Sequence, residues 1–148
     1  MTGDYADLKC RWIGRIHMRP HMPSIIVKDS QIHGQGVFAA RDILAGEVII
    51  DWDECSETLT EQRVEMLSAE ERKRVSFIDG HPILFKPPAR RVNHSCDANA
   101  RGTNRKDVAI RAIKKGEEIT VDYVVEHVPG LRLQCNCDSP NCRGYLRV

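Results

Sequence analysis

Arg111-Ala-Ile113-Lys-Lys-Gly116-Glu117-Glu118-Ile119-Thr120-Val121-Asp122-Tyr123 reads as a chain entering a glycine turn and leaving it as a short strand. Glycine supplies the turn, and Ile-Thr-Val suits a pleated, half-buried surface. The pattern occurs earlier too: Arg41-Asp-Ile43-Leu-Ala-Gly46-Glu47-Val-Ile49 matches it at the Arg, the first Ile, the Gly, the Glu and the final Ile. Two copies are too few for a solenoid. They predict a pair of similar hairpin-like turns in a chain that is mostly β.

Working outward, Ser24-Ile-Ile-Val27 and Val37-Phe-Ala-Ala40 flank Gly34-Gln35-Gly36, Val48-Ile-Ile50 follows Gly46, and Val108-Ala-Ile-Arg-Ala112 precedes Gly116. All are short, β-branched and punctuated by glycine, as strands are. Helix is expected only in the middle. Thr60 caps a first short helix carrying Val64 and Leu67, and Ser68 with Glu71 forms a capping box for a second. Pro20 and Pro23 mark a boundary before the first strand.

At 148 residues the chain is one domain by length, enough to bury ~70% of its unfolded surface. No apolar run approaches the ~18 residues of a membrane span, and nothing resembles a signal peptide. The expectation is an intracellular protein with reduced thiols and no membrane contact. The isoelectric point of about 7.7 speaks against direct nucleic-acid binding, for which domains run above ~9. Charge is uneven: residues 51–80 hold nine acids against four bases, residues 81–148 twelve bases against seven acids. Such an acidic stretch is either a solvated face or a lobe that attracts a basic peptide.

Three cysteines close the chain as Cys135-x-Cys137-x4-Cys142, and a fourth stands upstream in Asn93-His94-Ser95-Cys96. Four thiolates are the full complement of a closed, tetrahedral structural zinc site. Arg132, Arg143 and Arg147 would offset its negative charge. Cys10 and Cys55 have no partner at a metal spacing and read as buried thiols.

Four motifs together carry a resemblance to the SET-domain protein methyltransferases with a post-SET zinc tail: Gly34-Gln35-Gly36-Val37, Arg90-Arg91-Val92-Asn93-His94-Ser95-Cys96-Asp97-Ala98-Asn99, Gly116 through Tyr123, and Cys135-Asn-Cys137 through Cys142-Arg143-Gly144. The resemblance implies a β-clip SET-domain fold with short helices in a central insert and a zinc-bound C-terminal tail. It divides the chain into an N-terminal extension (1–23), a SET domain (24–125) and a post-SET segment (126–148). It implies S-adenosylmethionine held by Gly34, Gln35, Gly36, Asn93 and the His94 main chain, structural zinc on Cys96, Cys135, Cys137 and Cys142, and Tyr123 as the catalytic residue. It also implies that the Asn93 segment threads through a loop made by residues 117–123. The activity implied is methyl transfer to a lysine ε-amine of a histone or other basic protein. The competing reading is a zinc-stabilised SET-like module that binds a peptide without transferring a methyl group.

This sequence departs from the family pattern at Arg91, where phenylalanine is usual, and at Ala98, where proline is usual. The stretch Asp79 to Pro88 lacks the aromatic and Gly-Asn pattern that often lines the lysine channel, leaving Phe77 as the nearest aromatic. Val121 occupies the position two before the tyrosine, where a larger aromatic is usual. Its small apolar wall predicts di- or trimethylated product.

Overall fold

The structure is a computed structural model and describes residues 23–72, 74–126 and 131–147; the N-terminal extension and Cys10 lie outside the described residues. Twelve strands are described among them, with two short helices and one turn of 3-10 helix. β1 (Ile25–Asp29) and β2 (Gln35–Ala39) form an antiparallel hairpin, joined on the far side of β2 by β10 (Glu118–Val121). A second sheet has the same plan: β8 (Ala100–Thr103) and β9 (Lys106–Ala109) form the hairpin, and β3 (Val48–Asp51) joins β9.

The two sheets are related by an approximate twofold that runs through the repeated motif. Ile43 and Ile113 exchange backbone hydrogen bonds of 2.8 and 2.9 Å. Gly46 N donates to Ala109 O (2.8 Å) as Gly116 N does to Ala39 O (2.7 Å), and Ala39 N donates to Glu117 O (2.9 Å) as Ala109 N does to Glu47 O (3.0 Å). Gly46 and Gly116 adopt φ of 83° and 88°, the left-handed region that glycine enters without steric cost. In each copy the glutamate folds back onto its own turn, Glu47 accepting from Leu44 N (3.1 Å) and Glu117 from Lys114 N (3.0 Å). Ile43, Ile49, Ile113, Ile119 and Val37 are fully buried around this axis and make the main core.

The central insert is where the sequence reading falls short. The capped helices are present: α1 (Glu61–Glu65) begins at Thr60, whose hydroxyl accepts from Arg63 N, and α2 (Ala69–Arg72) carries the reciprocal Ser68–Glu71 box. Neither helix buries a residue of its own. The insert also contains a three-stranded sheet: β4 (Ser56–Thr58), β5 (Val75–Ile78) and β6 (His81–Phe85), in the order β4-β6-β5. Asp79 and Gly80 join β5 to β6 with φ of 52° and 79°, the two-residue turn that Asp-Gly specifies. Cys55 is buried there as expected, but as a disulfide-bonded half-cystine rather than a free thiol.

The 3-10 turn (Ala89–Arg91) leads into β7 (Asn93–His94), which pairs parallel with β10 through Thr120↔Asn93 and Val121↔His94. The tail forms its own ribbon, β11 (Arg132–Gln134) against β12 (Tyr145–Arg147), around buried Leu131, Cys135 and Leu146. That satellite core packs against Cys96 and Tyr123. No helix among the described residues is long and apolar enough to cross a membrane.

Candidate active site

The β7–β10 pair has a loop on one side and a cavity on the other. On the loop side, buried Asn93 turns its amide toward the carbonyls of His33 (3.1 Å) and Gln35 (3.2 Å), the Ser30 hydroxyl (3.1 Å) and Glu118 Oε1 (2.8 Å). Ser30 also donates to the Glu118 carboxylate at 2.8–2.9 Å. The glycine loop is thereby tied to β7 and β10. Glycine at 36 lets the Glu118 carboxylate sit against the loop, since a Cβ there would stand 2.1 Å from Glu118 Oε1 and push that side chain off Ser30 and Asn93. Gly34 differs: its φ is 47°, and nothing lies within 4 Å of where a Cβ would be. Gly34 and Gln35 are exposed, while Gly36 is buried against Glu118. The Gly34-Gln35-Gly36 loop and Asn93 thus gather at one end of the β7–β10 pair, while the neighbouring His94 side chain meets Cys96 and Tyr123 instead.

The segment after Asn93 continues along β10. Ser95 N donates to Val121 O (3.1 Å), while the buried Asn99 side chain accepts from Thr120 N (2.9 Å) and donates to Glu118 O (2.7 Å). Asn99 is a positioning residue that the motif contained and the sequence reading left without a role.

On the other side lies a cavity of about 530 Å³. Val92, Val121 and Tyr123 contribute its floor; Trp52, Phe77 and Phe85 add aromatic walls. Trp52 meets Phe85 edge to face at 5.4 Å between ring centroids. The Tyr123 hydroxyl donates to Val92 O at 2.7 Å. Burial, reinforced by the charges of Asp107 and Glu118, pushes that phenol up to about 12. At neutral pH it is a protonated hydroxyl whose oxygen retains acceptor capacity. Trp52, Phe85, Asp107 and Glu126 were not anticipated from sequence. They come from four separate segments, and only Trp52 carried a signal, standing just past the strand of the first motif copy.

The cysteines converge beside Tyr123. His94, Cys96, Cys135 and Cys137 place one donor atom each within 4.8 Å of one another. Cys96 and Cys135 sulfurs are 3.8 Å apart, and Cys137 Sγ receives Cys96 N at 3.4 Å. The fourth expected thiol, Cys142, stands at the edge of this set, 3.9 Å from Cys135 O, with Gly144 N donating to its sulfur. His94 is the alternative fourth donor, but its Nδ1 accepts Tyr123 N at 3.2 Å, and burial first of all lowers its pKa. A neutral imidazole that accepts at Nδ1 carries its proton on Nε2. That proton points at Cys96 Sγ, 3.3 Å away, so the ring serves the sulfur as a hydrogen-bond donor. Burial raises the Cys135 thiol, whereas at Cys137 the hydrogen bonds from Cys96 N and Ser139 outweigh burial and lower it. Cys137 is thus shifted towards the thiolate while Cys135 is shifted away from it, and the donor set suits zinc. Arg143 grips Asp122 with two bonds of 3.0 and 2.7 Å, tying the tail to the residue before Tyr123.

Comparison with known proteins identifies the family. A family model described as SET domain matches residues 34–124. The histone-lysine N-methyltransferase trithorax of Drosophila virilis is 32% identical over 132 residues, covering 79% of this chain and 3% of that protein. Human histone-lysine N-methyltransferase 2B is 32% identical over 143 residues, 79% of this chain and 5% of its own. The H3 lysine-36-specific enzyme of Eremothecium gossypii is 35% identical over 143 residues, 82% of this chain and 20% of its own. The chain thus spans a small part of these relatives. A solved candidate histone methyltransferase of Plasmodium falciparum superposes with a TM-score of 0.55 at 21% identity, over 70% of this chain and 95% of that one; this likeness concerns the fold.

Proposed function

The chain belongs to the SET-domain family, and from that premise we propose that it is an intracellular protein-lysine N-methyltransferase acting on a histone or other basic protein. The observation that carries this reading is the back-to-back geometry of the β7–β10 pair. The glycine loop gathers on one side through Asn93, and the Tyr123 hydroxyl lines a cavity on the other.

S-adenosylmethionine, bound along Gly34, Gln35, Gly36, Asn93 and His94, would supply a methyl group on a sulfonium. The remaining chemistry belongs to the chain. A lysine amine has a pKa of ~10.4 in water, so presenting it neutral at pH 7 costs roughly 4–5 kcal/mol. The apolar walls of Val92, Val121, Phe77 and Phe85 lower that cost by disfavouring the charged form. Tyr123 keeps its proton, donating it in a hydrogen bond to Val92 O, and offers its oxygen to the amine, orienting the nitrogen lone pair. Placing two reactants in line accounts for much of the acceleration. Zinc on Cys96, Cys135, Cys137 and Cys142 would pin the tail over Tyr123 as a structural crosslink.

The test is incubation with labelled S-adenosylmethionine and histone or total-cell protein. Label on lysine supports the reading. Peptide binding without label would move the protein to the peptide-binding alternative.

A further inference from the structure

The cavity beside Tyr123 holds a buried acid that the mechanism above does not use. Asp107 lies on β9, opposite Ile50 of β3 and Gly102 of β8, and is only 5% exposed. It lines the same cavity as Tyr123 and Val121. Trp52 donates a hydrogen bond to its carboxylate. A carboxylate has about four acceptor positions, and among the described residues no basic side chain pairs with this one. Glu126 stands close by, accepting Gly102 N at 2.7 Å. Gly102 makes that approach possible, because a Cβ there would meet Glu126 at 2.4 Å and the Trp52 ring at 2.7 Å. Asp107, itself almost wholly buried, thus lines an open-mouthed cavity together with aromatic walls, a second carboxylate and the guanidinium groups of Arg74 and Arg90. A buried carboxylate is costly without a counter-ion, and on the proposed methyltransferase reading the ligand of this cavity is an ammonium.

We propose that Asp107 is a catalytic residue of the methyl-transfer site: its carboxylate receives the target lysine ammonium beside Trp52 and Tyr123 and takes its proton before methyl transfer. The inference rests on the proposed methyltransferase reading. In the first step an N–H bond of the ammonium breaks and an O–H bond forms on Asp107, giving a neutral amine and a neutral acid. The amine lone pair then forms the N–C bond as the C–S bond of the methyl sulfonium breaks, with its electron pair remaining on sulfur as a thioether. The product is a methylammonium, and Asp107 returns its proton to solvent through the cavity mouth.

Burial is the main cause that raises Asp107 to about 7, opposed by the Trp52 hydrogen bond and assisted by the charge of Glu126. An ordinary aspartate at ~3.9 would leave the proton on an amine of ~10.4; an acceptor near 7 halves that gap, and desolvation of the ammonium closes it further. The titratable and charged groups around Asp107 are Tyr123 and Glu126 after β10, Arg74 before β5, Arg90 of the 3-10 turn, and the Asp51–Lys106 pair at the neighbouring strand ends.

Asp107→Asn keeps the size and an acceptor for Trp52 but removes the charge and the proton acceptor. The probe is n-butylammonium, titrated into the full chain and followed by NMR shifts of the Trp52 indole. Wild type should bind it, and the variant should lose at least tenfold in affinity. In parallel, kcat/KM on a lysine peptide should fall ~10²-fold at pH 7 in the variant and recover partly towards pH 9, while wild-type kcat/KM rises through about 7. Equal n-butylammonium affinity in the two proteins, in folds matched by their NMR spectra, overturns the proposal whatever the activity. If n-butylammonium binding depends on Asp107 but wild type methylates nothing, the methyltransferase reading fails and proton transfer with it, leaving an ammonium-binding site. Should Asp107→Asn fail to fold, Trp52→Phe removes the indole donor and should shift the wild-type pH limb upward; an unmoved limb counts against Asp107 as its source.

Discussion

The two copies of the strand–glycine–strand motif, residues 41–49 and 111–119, share their turns, their glutamate clasps and their reciprocal backbone bonds, yet only the second leads into the candidate catalytic residue. The difference lies in what each strand meets next. Among the described residues β3 is an edge strand beside β9, whereas β10 has β2 on one side and β7 on the other. β7 brings Asn93 and His94 to the second copy, and the cysteine tail then packs over it. The first copy runs on into Trp52, which walls the cavity from the opposite side. A duplicated scaffold thus contributes both walls of one site, and strand pairing rather than local structure sets their roles.

The tail gives the largest expected asymmetry. Cys137→Ser should strip the metal, since structural zinc sites carry apparent binding energies of ~10–16 kcal/mol in small domains. Zinc content should fall and proteolysis should open the chain after Tyr123 while β3 and its surroundings stay protected. Unchanged metal stoichiometry would remove the ion from the account. Next come the two isoleucines on the axis, 1% and 0% exposed. Ile43→Ala and Ile113→Ala should each cost about 2–5 kcal/mol in urea unfolding, and by similar amounts; a large inequality would break the twofold as an energetic description.

Function should separate the copies where stability does not. Tyr123→Phe should reduce turnover ~10²-fold with folding and cofactor affinity intact. The position matching Tyr123 in the first copy is Asp53, an exposed residue that pairs with Arg105 at 2.6 Å. Asp53→Ala should leave turnover within about twofold. Methyl counting sharpens the same contrast. Val121→Tyr should hold the product at one methyl, read by mass spectrometry at long reaction times, provided Trp52 and Phe85 leave room in the wild type for more.

The smallest effect concerns the matched surface pairs Arg41–Glu47 and Arg111–Glu117. The hydrogen bond from Arg41 lowers Glu47. At Glu117 burial acts upward, but Arg111, Lys114 and Asn99 outweigh it and lower the carboxyl. A carboxyl lowered by folding stabilises above its ordinary range and loses that contribution as pH falls through its folded value. Arg41→Ala and Arg111→Ala should therefore each cost below ~1 kcal/mol at pH 7 for such half-exposed pairs, and less at pH 3. A cost that does not shrink in acid would mean packing rather than charge.

Much of this was legible. The glycine turns at Gly46 and Gly116, the Thr60 and Ser68 caps, and the strand cores around Val37 and Ile119 followed from local pattern. The cysteine spacing led to a set of Cys96, Cys135, Cys137 and Cys142, of which the structure gathers the first three with His94 and leaves Cys142 at the edge. The β5–β6 hairpin was also written locally, in Asp79-Gly80 between apolar runs, and the helical expectation for the insert obscured it.

The sequence by itself determined the repeated turn, the mostly-β character, the motif residues and the thiol supply, because each depends on a few neighbouring residues whose backbone preferences and side-chain chemistry act alone. Only the tertiary structure decided that β7 lies parallel on β10, that His94 serves as a donor to sulfur, and that Trp52, Asp107 and Glu126 face one cavity. Those facts depend on segments far apart in the chain. Parallel pairing and a shared cavity exist only after the core of Ile43, Ile113 and Ile119 has closed, and burial, which turns an ordinary aspartate into an acid near 7, is a property of that closure and not of the residue.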